Sequence, residues 1–461
     1  MEKFNRSKWV NLLLVAVTIS STFLGLAGTR QVGAQEEISV DFWTAPQAVQ
    51  YNLWTERANA FNETNTEIDG KVIRVNVQQM PETPSSEAGI QNAIATGTAP
   101  AVSENVNRGF ASILAASDVV YDISQEDWFK EVVEARQMEE ALENWAIDGA
   151  HYVLPVYVNP MVWQWNVKGL EALGLDAAPE TVAEFQAAMV AFGENKDALA
   201  EVGVTHSFYR PSLSRPDQYW DRWFDFQMIY NAISQAKPIL EDNQLVMDKQ
   251  DAIDSLNVIG MFGNSVQLGE LASVWIEDNP SVLVTINAPW EITLYEEYGK
   301  VYGEDFVYGP ALVREEGDTP YNYADSKGLS FYKTSNISEE QHLGAVEFVK
   351  WVFNAENSAQ SDLEWLEATA MLPVRGDINE NELFNDVLEQ YPALAALADW
   401  VPYSIPGLAT DKDPDIWTAF TEVATAPYLN EMTNVEPGNA PDATPYIEAA
   451  IEAMKQAAEV E

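Results

Sequence analysis

An α/β fold of more than one domain is what this sequence predicts, and three observations carry that expectation. The chain has 461 residues, more than one core organises at roughly 150 residues per domain. Its early part alternates between the two-residue period of a strand and the spacing of a helix, in the order β-α-β-α that marks a parallel sheet. Further along, two helix-start signatures introduce long amphipathic stretches. A hydrophobic content of 47% with 21% charged residues fits a well-buried globular chain and excludes a disordered one.

The amino terminus reads as an export signal. Lys3, Arg6 and Lys8 precede an apolar stretch from Trp9 to about Gly28, and Val32-Gly33-Ala34 sets small residues where a signal peptidase cuts. Cleavage after Ala34 is expected, with residues 1–34 removed as the signal peptide. The other reading is an uncleaved anchor helix, against which Asn11, Thr18, Ser20, Ser21 and Thr22 dilute the stretch. No other segment resembles a membrane span. The sequence contains no cysteine, which excludes a disulfide scaffold, a thiolate metal site, a Cys nucleophile and a lipid-modified amino-terminal Cys. A soluble protein beyond the inner membrane, periplasmic or extracellular and not a lipoprotein, is the expectation. Removing residues 1–34 takes the formal charge from −47 to −50. Such a balance repels nucleic acid and anionic membranes and suggests a salty exterior, where screening acts within about 8 Å.

In the mature chain, Ile38, Val40 and Phe42 alternate with Ser39, Asp41 and Trp43 as a strand does. Val49, Leu53, Trp54, Ala58 and Phe61 then fall on one helical face. "KVIRVNV" (71–77) alternates again, and a helix is expected over roughly 85–96. "LPVYVNPMVWQWN" (154–166) starts as a buried strand, breaks at Asn159-Pro160 and restarts with Trp163 and Trp165 two residues apart. An aromatic stripe at strand spacing is packing, so these two tryptophans are expected in the core. Thr181 with Glu184, and Ser338 with Gln341, form capping boxes. The second opens a helix expected to bury Leu343, Val346, Val349, Val352 and Phe353. "SVLVTINAPW" (281–290) and "DFVYGPALV" (305–313) read as core strands running into proline breaks. A last helix, about 445–459, sets Ile447, Ala450, Ile451 and Met454 on one face after the loop "NVEPGNAPDATP".

Few catalytic or metal signatures survive inspection. His151, His206 and His342 lie far apart, and none has a metal-ligand neighbour at i+3 or i+4. No Gly-rich phosphate loop and no G-x-S-x-G occurs. "DKDPDIWTAFTE" (411–422) places Asp411, Asp413, Asp415 and Glu422 at calcium-loop spacing, but Ile416 stands where the turn wants Gly. The preferred reading is Asp413 as helix N-cap with Pro414 at the first helical position. Paired carboxylates for glycoside hydrolysis carry no specificity among 72 acids. "HSFYRPSLSRPDQYWDRW" (206–223) clusters Arg210, Arg215 and Arg222, either pairing locally with Asp217, Asp221 and Asp225 or forming an anion-recognising patch. No cofactor and no metal is called for.

Ordered landmarks over about 36–460 resemble the extracellular solute-binding proteins of ABC importers, in the carbohydrate-binding group that includes maltose-binding protein. They are "ISVDFWTAPQAVQYNLWTERANAFNET", "IQNAIATGTAPAV", "GAHYVLPVYVNPMVWQWNVKGLEALGLDAAPETVAEF", "INAPW", "ATAMLPVRGDI" and "PDIWTAFTEV". Where the family usually has Pro-Asp, this chain has Pro100-Ala101. The resemblance implies two discontinuous α/β lobes joined by crossing hinge strands: lobe 1 over 35–155 with 310–355, lobe 2 over 156–309 with 356–461. Asn159 would then mark where a strand passes between lobes at the floor of a cleft.

Ligand would sit between the lobes at strand carboxyl ends. Trp43, Trp290 and Trp417 would stack on sugar rings, at about 0.5–1.5 kcal/mol each by analogy with aromatic pairs. Trp220 is a further expected contact. Gln47, Asn105, Arg108, Asn159, Asp221 and Arg375 would hydrogen-bond the hydroxyl rim. The implied function is capture of a sugar, oligosaccharide or glycoside by a monomeric, non-enzymatic protein, with delivery to membrane permease subunits and no part for nucleic acid. The competing readings are a secreted carbohydrate-active enzyme and a binding protein for a cationic solute such as a polyamine. Against the latter stand the arginines expected in the cleft.

Overall fold

The computed structural model describes residues 36–81, 85–209, 219–241, 244–267, 281–289, 292, 295, 298–410 and 412–459, without the side chains of 219–222. Its strands, in chain order, are β1 (Glu37–Thr44), β2 (Glu67–Ile68), β3 (Lys71–Gln79), β4 (Val102–Val106), β5 (Leu154–Pro160), β6 (Val162–Asn166) and β7 (His206–Tyr209). Then come β8 (Leu240–Glu241), β9 (Gln244–Leu245), β10 (Val266–Gln267), β11 (Val282–Asn287), β12 (Phe306–Gly309), β13 (Asn322–Phe331), β14 (Leu372–Pro373) and β15 (Ser404–Ile405). The first sheet runs β14-β5-β13-β4-β1-β3-β2, with β15 added on β13; the second runs β10-β7-β11-β6-β12. β1 pairs in parallel with β3 and β4, as the β-α-β-α pattern requires.

The first sheet is covered by helices that the sequence places directly. Phe42 of β1 meets Trp54 of helix Ala48–Thr64 at 4.6 Å and Phe348 of helix Glu339–Phe353 edge-on at 5.7 Å. Gly344 lets the second helix come close, since a Cβ there would stand 2.8 Å from Val40 Cγ2. Both capping boxes are formed as expected, Thr181 with Glu184 and Ser338 with Gln341. Two residues assigned to buried faces are exposed: Val49 at 48% and Leu343 at 41%. The buried stripes run through Gln50, Leu53, Trp54, Arg57 and Phe61, and through Ala345, Phe348, Val349 and Val352. Val49 stands one position before Gln50, and Leu343 two before Ala345, where these stripes begin.

The second core holds Trp163 and Trp165 fully buried, Trp163 against Phe185 at 5.6 Å, with Phe208 stacked on Phe262 at 4.3 Å. The expectation of packing for both tryptophans is met. Helix Asp413–Phe420 and helix Thr444–Glu459 belong to this core through Ile416, Phe420, Ile447 and Met454.

The cores divide elsewhere than the expected lobe boundaries. All of β5 lies in the first sheet, and the crossing falls at Met161, between Pro160 and β6. Residues from Trp365 to Val401, expected in the second lobe, pack in the first core, and only from Leu408 onward does the chain join the second. The cause is a buried ion network. Arg136 clasps Asp362 of helix Ser358–Thr369 with both bonds at 3.0 Å and donates to the carbonyls of Pro155 and Val156 at 2.6 and 3.0 Å. It thereby ties this helix to the start of β5. Val282 and Phe306 of the second sheet pack with the first core. Two connections join the sheets, Met161 and residues 310–321 between β12 and β13, while residues 406–410 lead from β15 toward helix Asp413–Phe420 of the second core.

Candidate functional site

Two cavities of about 540 and 460 Å³ adjoin along the crossing strands, sharing Ser85, Glu87, Asp325 and Lys327 in their walls. They form one cleft, with the first sheet and its helices on one side and Phe224, Asp413 and Trp417 of the second core's helices on the other.

Strand register builds its floor. β13 pairs antiparallel with β5 so that Asp325 faces Asn159 and Lys327 faces Tyr157. Opposed residues, and residues two apart, share a sheet face, so these four side chains point the same way. The register shifts between Lys327 and Gly328, and only Gly fits there because a Cβ would lie 2.1 Å from the Leu154 carbonyl oxygen. Tyr157 is held by stacking on Trp365 at 5.3 Å. Burial, with Asp325 and Glu104 adding to it, pushes its hydroxyl well above the ordinary tyrosine range. Asn159 is 1% exposed, and neither its amide nitrogen nor its oxygen has a protein partner. A buried primary amide left unpaired costs on the order of 1–3 kcal/mol, which makes it a site awaiting a partner.

An aromatic wall closes one side. Phe224 stacks on Tyr323 at 4.5 Å, and Trp417 meets Phe224 edge-on at 5.6 Å. All three line the smaller cavity. Gln47 and Asn105 line the larger one with Asn159. Asn105, the penultimate residue of β4, lies in the left-handed region at φ 66, where Asn is among the tolerated residues. The turn after β1 is set by buried Glu104, which accepts from Thr44 Oγ1 at 2.6 Å, Gln50 Nε2 at 2.9 Å and the Ala45 amide at 3.2 Å. Burial raises the Glu104 carboxyl, and the Thr44 and Ala45 bonds oppose the rise.

Three expected contacts stand apart from this cleft. Trp43 is half-buried against the first core and lines neither cavity. Arg108 donates from Nε and Nη2 to the Ala146 carbonyl at 3.2 and 2.6 Å and borders a separate cavity beyond residues 405–409. Burial lowers its guanidinium to about 10, with Asp148 opposing. Arg375 is 3% exposed and committed to Asp362 at 3.0 Å and Asp377 at 2.6 Å. It strengthens the network that fixes β5 rather than facing ligand. Trp290 and the side chains of Trp220 and Asp221 lie outside the described residues.

Asp413 departs from its expected role as a cap. Lys412 takes the N-cap position of helix Asp413–Phe420 without a side-chain bond, and Asp413 Oδ1 is buried with no donor. Its carboxyl faces the cleft, and burial raises it to about 7. Asp325, Lys327, Tyr157, Tyr323, Phe224 and Asp413 are the site residues that sequence reasoning missed. "YADSKG" (323–328) carried a signal, since Tyr323, Asp325 and Lys327 alternate with the small Ala324, Ser326 and Gly328. Among the described residues, no group of three or more His, Cys, Asp or Glu is placed to hold a metal ion. No described helix is long and apolar enough to cross a membrane.

A family model described as bacterial extracellular solute-binding protein matches residues 56–396. The structure is similar to that of an uncharacterized protein, lmo0859, from Listeria monocytogenes EGD-e. The two are 31% identical, with 91% of this chain and 100% of that one covered, at a TM-score of 0.80. It is also similar to the sugar-binding protein MalE from Xanthomonas citri, at 16% identity, 91% and 97% coverage and a TM-score of 0.70. The cyclic alpha-maltosyl-1,6-maltose binding protein from Arthrobacter globiformis gives 15% identity, 92% and 99% coverage and a TM-score of 0.69. None of the curated proteins compared matches the chain.

Proposed function

The chain belongs to the bacterial extracellular solute-binding protein family, and from that premise we propose that it is the substrate-binding component of an ABC importer for a sugar, oligosaccharide or glycoside. The observation that carries the carbohydrate reading is Asn159. A buried amide with a free donor and a free acceptor matches two neighbouring hydroxyls, one accepting and one donating. The wall of Phe224, Tyr323 and Trp417 offers flat apolar faces for the C–H side of a sugar ring. The named ligands of the Xanthomonas citri and Arthrobacter globiformis proteins support the same class. In this reading the protein is a monomer without catalytic activity, acts outside the inner membrane, and hands its ligand to permease subunits. Gln47, Asn105, Asn159 and Trp417 are proposed contacts, and Trp220, Asp221 and Trp290 remain proposed from the resemblance.

Titration of a library of neutral and amino-substituted mono- to oligosaccharides tests the reading. Asn159→Ala should weaken the best ligand by roughly tenfold or more, corresponding to about 1.4 kcal/mol or more. Its melting temperature should hold or rise, because no native bond is lost. Unchanged affinity in this variant, or hydrolysis of the bound sugar, would count against the proposal.

A further inference from the structure

The charges described in the cleft do not balance. Glu87, Asp325 and Asp413 line it, and Lys327 is the one cation among the described lining residues. None of the three carboxylates has an ion pair among the described residues. Arg108 and Arg375, the cations expected to oppose a positively charged ligand, are engaged elsewhere. Asp413 shows the imbalance most clearly. Its Oδ1 is buried without a donor, and its Oδ2 lies 3.6 Å from where a Cβ on Gly109 or Gly407 would stand. Burial raises its carboxyl, and among the described residues no neighbouring charge compensates it. A carboxylate so placed calls for a donor and for positive charge. Asn159, unpartnered at both amide atoms in the same cleft, independently marks the cleft as built around a hydrogen-bonding occupant.

Resting on the carbohydrate reading above, we infer that the ligand is an amino sugar or amine-bearing oligosaccharide whose protonated amine is received by Asp413. A hydroxyl supplies Asp413 with one neutral donor. An ammonium supplies several donors and the opposite charge, and charge-assisted bonds are about twice as strong as neutral ones. Asp325 and Glu87 add negative potential along the same cleft.

The test is calorimetric titration near neutral pH with short glucosamine oligomers, their N-acetylated counterparts and maltodextrins of matched length. The amine-bearing series should bind at least about tenfold tighter than the acetylated one. Added sodium chloride should weaken the amine series and leave the acetylated series nearly unchanged. Asp413→Asn should erase the preference without lowering the melting temperature. Equal or tighter binding of acetylated or neutral sugars overturns the inference and leaves the importer reading standing. So does an amine preference that survives in Asp413→Asn, or one indifferent to salt. If the whole saccharide library fails to bind, the carbohydrate reading falls together with the inference.

Discussion

Asp413 is the residue whose behaviour departs furthest from its sequence context. Aspartate beside Pro414 reads as a helix cap, yet the carboxyl enters the cleft with its buried Oδ1 given no donor. Its folded value of about 7 lies above the roughly 3.9 of an unfolded aspartate. The native state therefore holds the proton more tightly. The stability associated with that proton is complete below about pH 4, falls as pH rises, and is gone above about pH 7. Allowing for residual solvent access, the loss amounts to about 1–3 kcal/mol. Asp413→Asn should be more stable than the parent chain above about pH 7, with the gain vanishing toward pH 4. Melting temperatures of both proteins across that range check this, and a difference independent of pH would refute it. Asn159 was legible because a polar residue before Pro160 breaks an apolar run. Asp413 was not, because a cap and a cleft carboxyl look alike until the second half of the molecule is packed against the first.

At the scale of elements, β13 does most to shape the site, and its geometry depends on Gly328. That residue lies where the β5 pairing slips, close against the Leu154 carbonyl. Gly328→Ala should push β13 off β5, at a cost of about 1–3 kcal/mol from overpacking. It should also misplace Asp325 and Lys327, so ligand affinity falls together with stability. Urea unfolding and titration of the same variant give the two readings, and an affinity unchanged in a destabilised chain would separate the strand from the site. Capping boxes and amphipathic faces were legible in advance because they are local: Thr181 with Glu184 and Ser338 with Gln341 lie within one turn. Arg375 was not. Its guanidinium is claimed by Asp362 and Asp377, and Asp362 is held by Arg136, more than two hundred residues away in sequence. A sequence window cannot weigh that competitor.

For the whole molecule, two connections cross between the sheets, Met161 and residues 310–321, and residues 406–410 run from β15 toward the second core's helices. Hinge closure around ligand at such crossings, for which the type example is the periplasmic binding proteins, should shrink the radius of gyration when a bound saccharide saturates the cleft. Small-angle scattering with and without that saccharide measures it, and superimposable profiles would rule closure out. The sequence by itself determined the alternating α/β elements, the helix starts and the polar break at Asn159, because each depends on neighbours within a few residues. It also determined the strong negative charge, a sum that needs no geometry. Only the tertiary structure decided which polar groups meet in the cleft. Gln47, Asn105, Asn159, Asp325 and Asp413 come from five separate segments of chain. Their convergence depends on the β5–β13 register and on how the second core's helices approach the first sheet. Those are long-range constraints, and a shift of one residue in strand register turns a side chain from the cleft to the core.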